Sequence, residues 1–129
     1  MQSFSINSRE RTDFIDITRQ VREAVQAAGI EHGAATVFIP HTTAGITINE
    51  NADPDVVTDM KAALDRLVPW NNGYRHAEGN SAAHLKSTLT GFSVQIPVES
   101  GNLILGTWQG IYFCEFDGPR SRKVWVGTS

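Results

Sequence analysis

Three of the four histidines in this 129-residue chain stand in short segments crowded with groups that hold ligands. They are His41 in Pro40-His41-Thr42-Thr43-Ala44-Gly45, His76 in Tyr74-Arg75-His76-Ala77-Glu78-Gly79-Asn80, and His84 in Ala82-Ala83-His84-Leu85-Lys86. Imidazole changes charge near neutral pH and is the commonest metal ligand, so these segments point to proton transfer, anion binding or metal binding. No two of the three have a local metal spacing such as His-x-x-x-His, so a shared site would have to be assembled by the fold.

Each segment has a functional and a structural reading. His41 is a candidate ligand or general base, with Thr42 and Thr43 to hold a phosphate or carboxylate; the same letters make a turn whose hydroxyls satisfy their own backbone. In Asn49-Glu50-Asn51-Ala52-Asp53, Asp53 suits a helix cap. Glu50 is a candidate carboxylate ligand or general base, Asn49 a candidate substrate amide, and a solvated strand end is the alternative. Arg75, His76, Glu78, Asn80, His84 and Lys86 fall within one stretch that opens a helix. Unpaired N–H groups at a helix start favour an anion, although His84 could equally pack at a helix edge. Trp108 and Gln109 set a flat ring beside an amide, a cradle for a planar heterocycle or simply a core ring beside a turn. Arg120, Arg122 and Lys123 follow a turn; arginine grips phosphate with two parallel bonds, whereas charge on an edge strand also deters aggregation. Cys114, inside an apolar strand, reads as a buried and inert thiol.

Positioning these residues takes elements of both kinds. Ser3–Asn7 alternates with the period of a strand, and Phe14–Ile17 continues in extended form. Thr18 is placed to cap a helix to about Ala28, with Ile17, Val21, Ala24, Val25 and Ala28 as its apolar stripe and Gly29 as its stop. Thr36–Ile39 and Gly45–Ile48 are β-rich runs on either side of His41. Asp53-Pro54 starts a second helix, whose Val56, Val57, Met60, Ala63, Leu64 and Leu67 are expected to be core. An exposed loop over Trp70–Gly79 leads to a third helix, capped by Asn80 or Ser81 and ending near Gly91. Strands follow at Val94–Val98, Leu103–Trp108, Ile111–Phe116 and Lys123–Val126. The class is α+β, a single domain over residues 1–129 with a largely antiparallel sheet or sandwich and about three helices.

The composition bounds the partners. A formal charge of −3 without runs of like charge offers no pull toward nucleic acid or an anionic membrane. No segment is apolar enough to span a bilayer, and the N-terminus lacks a signal-peptide core. One cysteine cannot form an internal disulfide, which fits a cytoplasmic, reducing setting. The sequence has no nucleophile elbow, phosphate loop or dinucleotide fingerprint.

Seven segments in register resemble the YjbQ family, to which a secondary thiamine-phosphate synthase activity is assigned. They are His41 to Ile46, Ile48 to Asn51, Asp53-Pro54, Ala83 to Lys86, Gly91 to Ser93, Leu105 to Gly110 and Arg120 to Arg122. The resemblance implies a compact α+β fold, a homotrimer, and a site of the motif histidines that holds a divalent metal, zinc or magnesium. It also implies a small phosphorylated substrate: a pyrimidine methyl diphosphate is joined to a thiazole phosphate to give thiamine phosphate. On that basis His84, Glu50 and His41 are the expected catalytic residues, and His41, His76 and His84 the metal ligands. Thr42, Thr43, Asn49, Arg75, Asn80, Lys86, Trp108, Gln109 and Arg120 are expected to bind substrate. A chain this small would complete its pocket between subunits. The competing function is a trimeric module that binds a metal or small anion without turnover.

Overall fold

Pairing and apolar alternation divide the strands between two antiparallel sheets. The computed structural model describes residues 1–129. In chain order the elements are β1 (Gln2–Asn7), β2 (Asp13–Asp16), α1 (Thr18–Ala28), β3 (His32–Phe38), β4 (Ala44–Glu50) and α2 (Pro54–Leu67). They continue with α3 (Ser81–Thr90), β5 (Ser93–Glu99), β6 (Asn102–Leu103), β7 (Gln109–Glu115) and β8 (Ser121–Thr128). One sheet has the order β1-β8-β3-β5-β6 and the other β2-β7-β4. The fold is α+β, with every strand pair antiparallel.

The two sheets and α1 share one core. Val37, Ile96, Val98, Val124 and Val126 from the larger sheet meet Ile46, Ile111 and Phe113 from the smaller, beside Ile17, Val21 and Val25 at the start and inner face of α1. Its central strand β7 is buried from Gly110 to Glu115, because its opposite face is also covered. Tyr112, Cys114 and Phe116 form a second cluster there with Ala83 of α3 and, partly buried, Val57 and Leu64 of α2. A strand covered on both faces loses the polar alternation of a half-exposed one.

Several expected elements shift. Thr18 is not the cap of α1: Ile17 holds that position, and Asp16 Oδ1 accepts from the Thr18 amide at 2.9 Å and its hydroxyl at 2.6 Å. Of the expected strand Leu103–Trp108 only Leu103 pairs in β6, because the Gln109 side chain accepts the Gly106 amide at 2.7 Å and closes a turn over 106–109. The second helix starts as expected, Asp53 accepting from the Asp55 amide at 2.9 Å. Its stripe is not core, however. No residue of α2 is buried, and Leu67 is 74% exposed, since the helix lies shallowly over the back of the smaller sheet and beside α3.

Candidate functional site

The cleft lies where β3 ends, α3 begins and the turn before β8 crosses between them. Ile39, buried, is pinned by its amide donating to Phe92 O at 2.8 Å, so the chain leaving β3 delivers His41 to a fixed place. On the other side Ser87 of α3 donates to Ala44 O at 2.6 Å. Gly45 lets the helix sit this close, for a side chain there would collide with Thr90 and Gly91. The resulting cleft, of about 780 Å³, is lined by His41, Thr42, Thr43, His76, Asn80, His84 and Arg120, together with Glu78, Asp117, Arg122 and the rings of Phe38 and Phe92.

His41 is locked by its surroundings. Its Nε2 accepts the Lys123 amide at 2.9 Å, which leaves the ring proton on Nδ1 and makes the neutral ring a donor. Burial, and after it the guanidinium of Arg122, depress its pKa below the ordinary imidazole value. His76 and His84 stand edge to face with centroids 5.4 Å apart, and Glu78 Oε1 lies 3.7 Å from His76 Nε2.

A polar network frames the floor. Asn80 occupies the N-cap position of α3, but its side chain turns away and donates through Nδ2 to Asp117 Oδ2 at 2.9 Å. That carboxylate also accepts from Arg120 Nη2 at 3.1 Å. The bond to a carboxylate fixes the amide's orientation, and it leaves Asn80 Oδ1 buried without a donor. Beneath lies a fully buried pair, Arg122 with Glu115. Arg122 Nε donates to Glu115 Oε1 at 2.8 Å, its Nη2 also donates to Glu115 Oε2, and Nη2 reaches Thr43 Oγ1 at 2.8 Å. Ser8 donates to the same carboxylate at 2.8 Å. Burial pushes the Glu115 carboxyl upward, but bonds from Arg122, the Asp117 amide and Ser8 outweigh it and hold the pKa below the usual glutamate value. Thr43 and Arg122 therefore serve the framework, while Thr42 is exposed at the cleft.

The other expected site residues lie elsewhere. Lys86 is not in the cleft. Helical spacing places it with Ala82 and Ala83 on the inner face of α3, where its amine meets Asp65 of α2 at 2.5 Å. Arg75 lines a neighbouring cavity of about 520 Å³, with His76 and His84 as the shared wall. Asn49, Glu50, Trp108 and Gln109 gather at the opposite end of the smaller sheet, the length of β4 away, roughly 20 Å. That end is negative: burial, then the charges of Asp16 and Glu50, raise the Tyr112 phenol above its usual value.

The three histidines thus share one cleft without forming a tripod. No group of three His, Cys, Asp or Glu side chains converges as a metal cage would require, and the Nε2 lone pair of His41 is already committed. A divalent ion does not fit the side chains that one chain brings together. Sequence reasoning missed Phe38 and Phe92, whose rings pack edge to face at 5.9 Å, and the linking role of Asp117 in the turn before Arg120. The available signals were Phe38 just before His41 and Phe92 within Gly91-Phe92-Ser93. Ser8 gave none.

The model for the family described as UPF0047 protein YjbQ-like matches residues 2–129. The UPF0047 protein YugU of Bacillus subtilis is 55% identical over 127 residues, covering 98% of this chain and 96% of its own. The UPF0047 protein MJ1081 of Methanocaldococcus jannaschii is 48% identical over 123 residues, covering 95% and 89%. An uncharacterized YjbQ/UPF0047 family crystal structure from Clostridium acetobutylicum superposes with a TM-score of 0.98 at 55% identity, covering all of both chains. A hypothetical protein from Aeropyrum pernix gives 0.95 at 37% identity, with 99% and 96% covered.

Proposed function

This chain belongs to the YjbQ-like UPF0047 family, and on that footing we propose that its histidine cleft binds a small phosphorylated molecule with a planar ring and acts as a secondary thiamine-phosphate synthase. The observation that carries the reading is the pairing of opposite hydrogen-bond needs in one cleft. His41, Thr42 and Arg120 offer donors suited to phosphate oxygens, whereas Asn80 Oδ1 is a buried acceptor without a donor. A ring amino group would satisfy it, and Phe38 and Phe92 supply apolar faces for the ring.

The reaction asks little covalent help from protein. The carbon–oxygen bond between the pyrimidine methylene and diphosphate breaks, its electron pair leaving with diphosphate. The thiazole nitrogen lone pair forms the new carbon–nitrogen bond, giving the thiazolium of thiamine phosphate. Nothing need be deprotonated. What the cleft supplies is alignment and positive ends for the leaving oxygens, from Arg120, His84 and the Nδ1–H of His41. Assembly as a cytoplasmic homotrimer is part of the same proposal.

A second reading, binding without turnover, is favoured by one feature. Of the carboxylates that line the cleft, Asp117 is tied to Arg120 and Glu78 is exposed beside His76, and Glu50 is distant, so no enclosed carboxylate is free to act as a base on the ligand. Incubation with the pyrimidine methyl diphosphate and thiazole phosphate, with thiamine phosphate read as fluorescent thiochrome after oxidation, separates the two. Product from the wild type and none from His84→Ala supports the synthase. Calorimetric binding of thiamine phosphate with no product formed supports the module.

A further inference from the structure

Two exposed apolar patches sit at opposite ends of the molecule, and they differ in kind. At the cleft end Phe92 is 61% exposed beside Phe38, and Leu85 and Leu89 project from the outer face of α3 one turn apart. At the far end Trp108 is 63% exposed on the turn that pairs with Glu50. Both ends also carry charge with no ionic partner in the chain: Arg75 at the cleft end and Glu50 at the far end. The far end is rich in acid along one segment, since residues 49–59 hold Glu50, Asp53, Asp55 and Asp59 and no cation.

From this we infer that copies of the chain join head to tail, so that Glu50 and Trp108 of one protomer close the histidine cleft of its neighbour. A twofold contact would set acid against acid at one end and leave Arg75 unpaired at the other. Joining unlike ends pairs charge with countercharge and covers both apolar patches, and a head-to-tail contact that closes makes a ring. The same contact resolves the split among the chemistry-bearing residues. The cleft has histidines and an arginine but lacks a free deep-set carboxylate and a tryptophan face. The far end has both, roughly 20 Å too distant to serve its own cleft. Glu50 of the neighbour would orient the histidine pair, and Trp108 would roof the ring.

Cross-linking tests the contact without reference to any activity. Leu85→Cys and Trp108→Cys are expressed singly and together, then treated with a short bis-maleimide; Cys114, buried, does not compete. Covalent dimers are expected only on co-expression. Cross-linking of Leu85→Cys to itself, or none in the mixed preparation, overturns the arrangement. A second arm rests on the synthase reading. His84→Ala and Glu50→Ala are each expected to lose activity, yet co-expression should restore about a quarter of it, since random mixing puts intact halves together at one interface in four. Full activity in Glu50→Ala, or no recovery on mixing, refutes the shared site. If the wild type makes no thiamine phosphate, the synthase reading falls and the cross-links still decide the contact.

Discussion

The hydrogen bond from the Lys123 amide to His41 Nε2 spans 82 residues of sequence, yet it decides what this imidazole does. Its Nε2 lone pair is engaged, and burial together with the Arg122 guanidinium disfavours the charged ring. Because its pKa is depressed in the folded protein, the stabilisation it gives is present above the ordinary imidazole value and lost as pH falls through the depressed one. Nitrogen NMR should find His41 protonated on Nδ1 alone at neutral pH and titrating below the ordinary imidazole range; an Nε2–H tautomer would contradict the lock. Substitutions should rank the same way. His84→Ala is expected to abolish thiamine-phosphate formation, Arg120→Ala to raise the substrate concentration required, and Cys114→Ser to leave turnover nearly intact. Folded Cys114→Ser protein that is inactive beside active His84→Ala would reverse these roles. The sequence displayed the histidines, but not the lock, because a backbone amide has no letter of its own.

At the scale of elements, β8 and β7 are stitched by the buried Arg122–Glu115 pair, and removing one partner strands a charge. Arg122→Met should therefore cost roughly 3–5 kcal/mol of stability in urea unfolding, with much of the loss recovered in Arg122→Met/Glu115→Leu. Helix α2 should behave oppositely to α1. With no buried residue, its amides should exchange hydrogen well before those of α1, whose Val21 and Val25 are fully enclosed; equal protection would mean that another surface covers α2. The caps and turns of α2 were readable from Asp53-Pro54, since capping is local chemistry. Its shallow burial was not, because helical spacing reports which face is apolar and not how much protein lies beneath it. Leu103–Trp108 failed as a strand for a related reason: the competing bond comes from the Gln109 side chain, which propensity does not weigh.

Taken whole, the molecule places its most buried anion–cation contact where β7, β8 and the cleft meet, and that governs its response to acid. Glu115 has a depressed pKa, so its contribution is complete above the ordinary glutamate value and disappears as pH falls through the depressed one. Urea titrations at a series of pH values should show the wild type weakening in acid. Glu115→Gln should be less stable at neutral pH with a flatter acid limb, and an unchanged limb would remove Glu115 as its source. The enclosure of Cys114 in the central strand β7 has a practical consequence for the same whole. It is the chain's single thiol, fully inaccessible, and burial alone raises its pKa. Alkylation of this sulfur therefore waits for the cover over that face of β7, Ala83 of α3 within it, to lift, and the labelling rate clocks that opening. The protein carries its own chemical timer, on which any molecule that seats in the cleft should register as a delay.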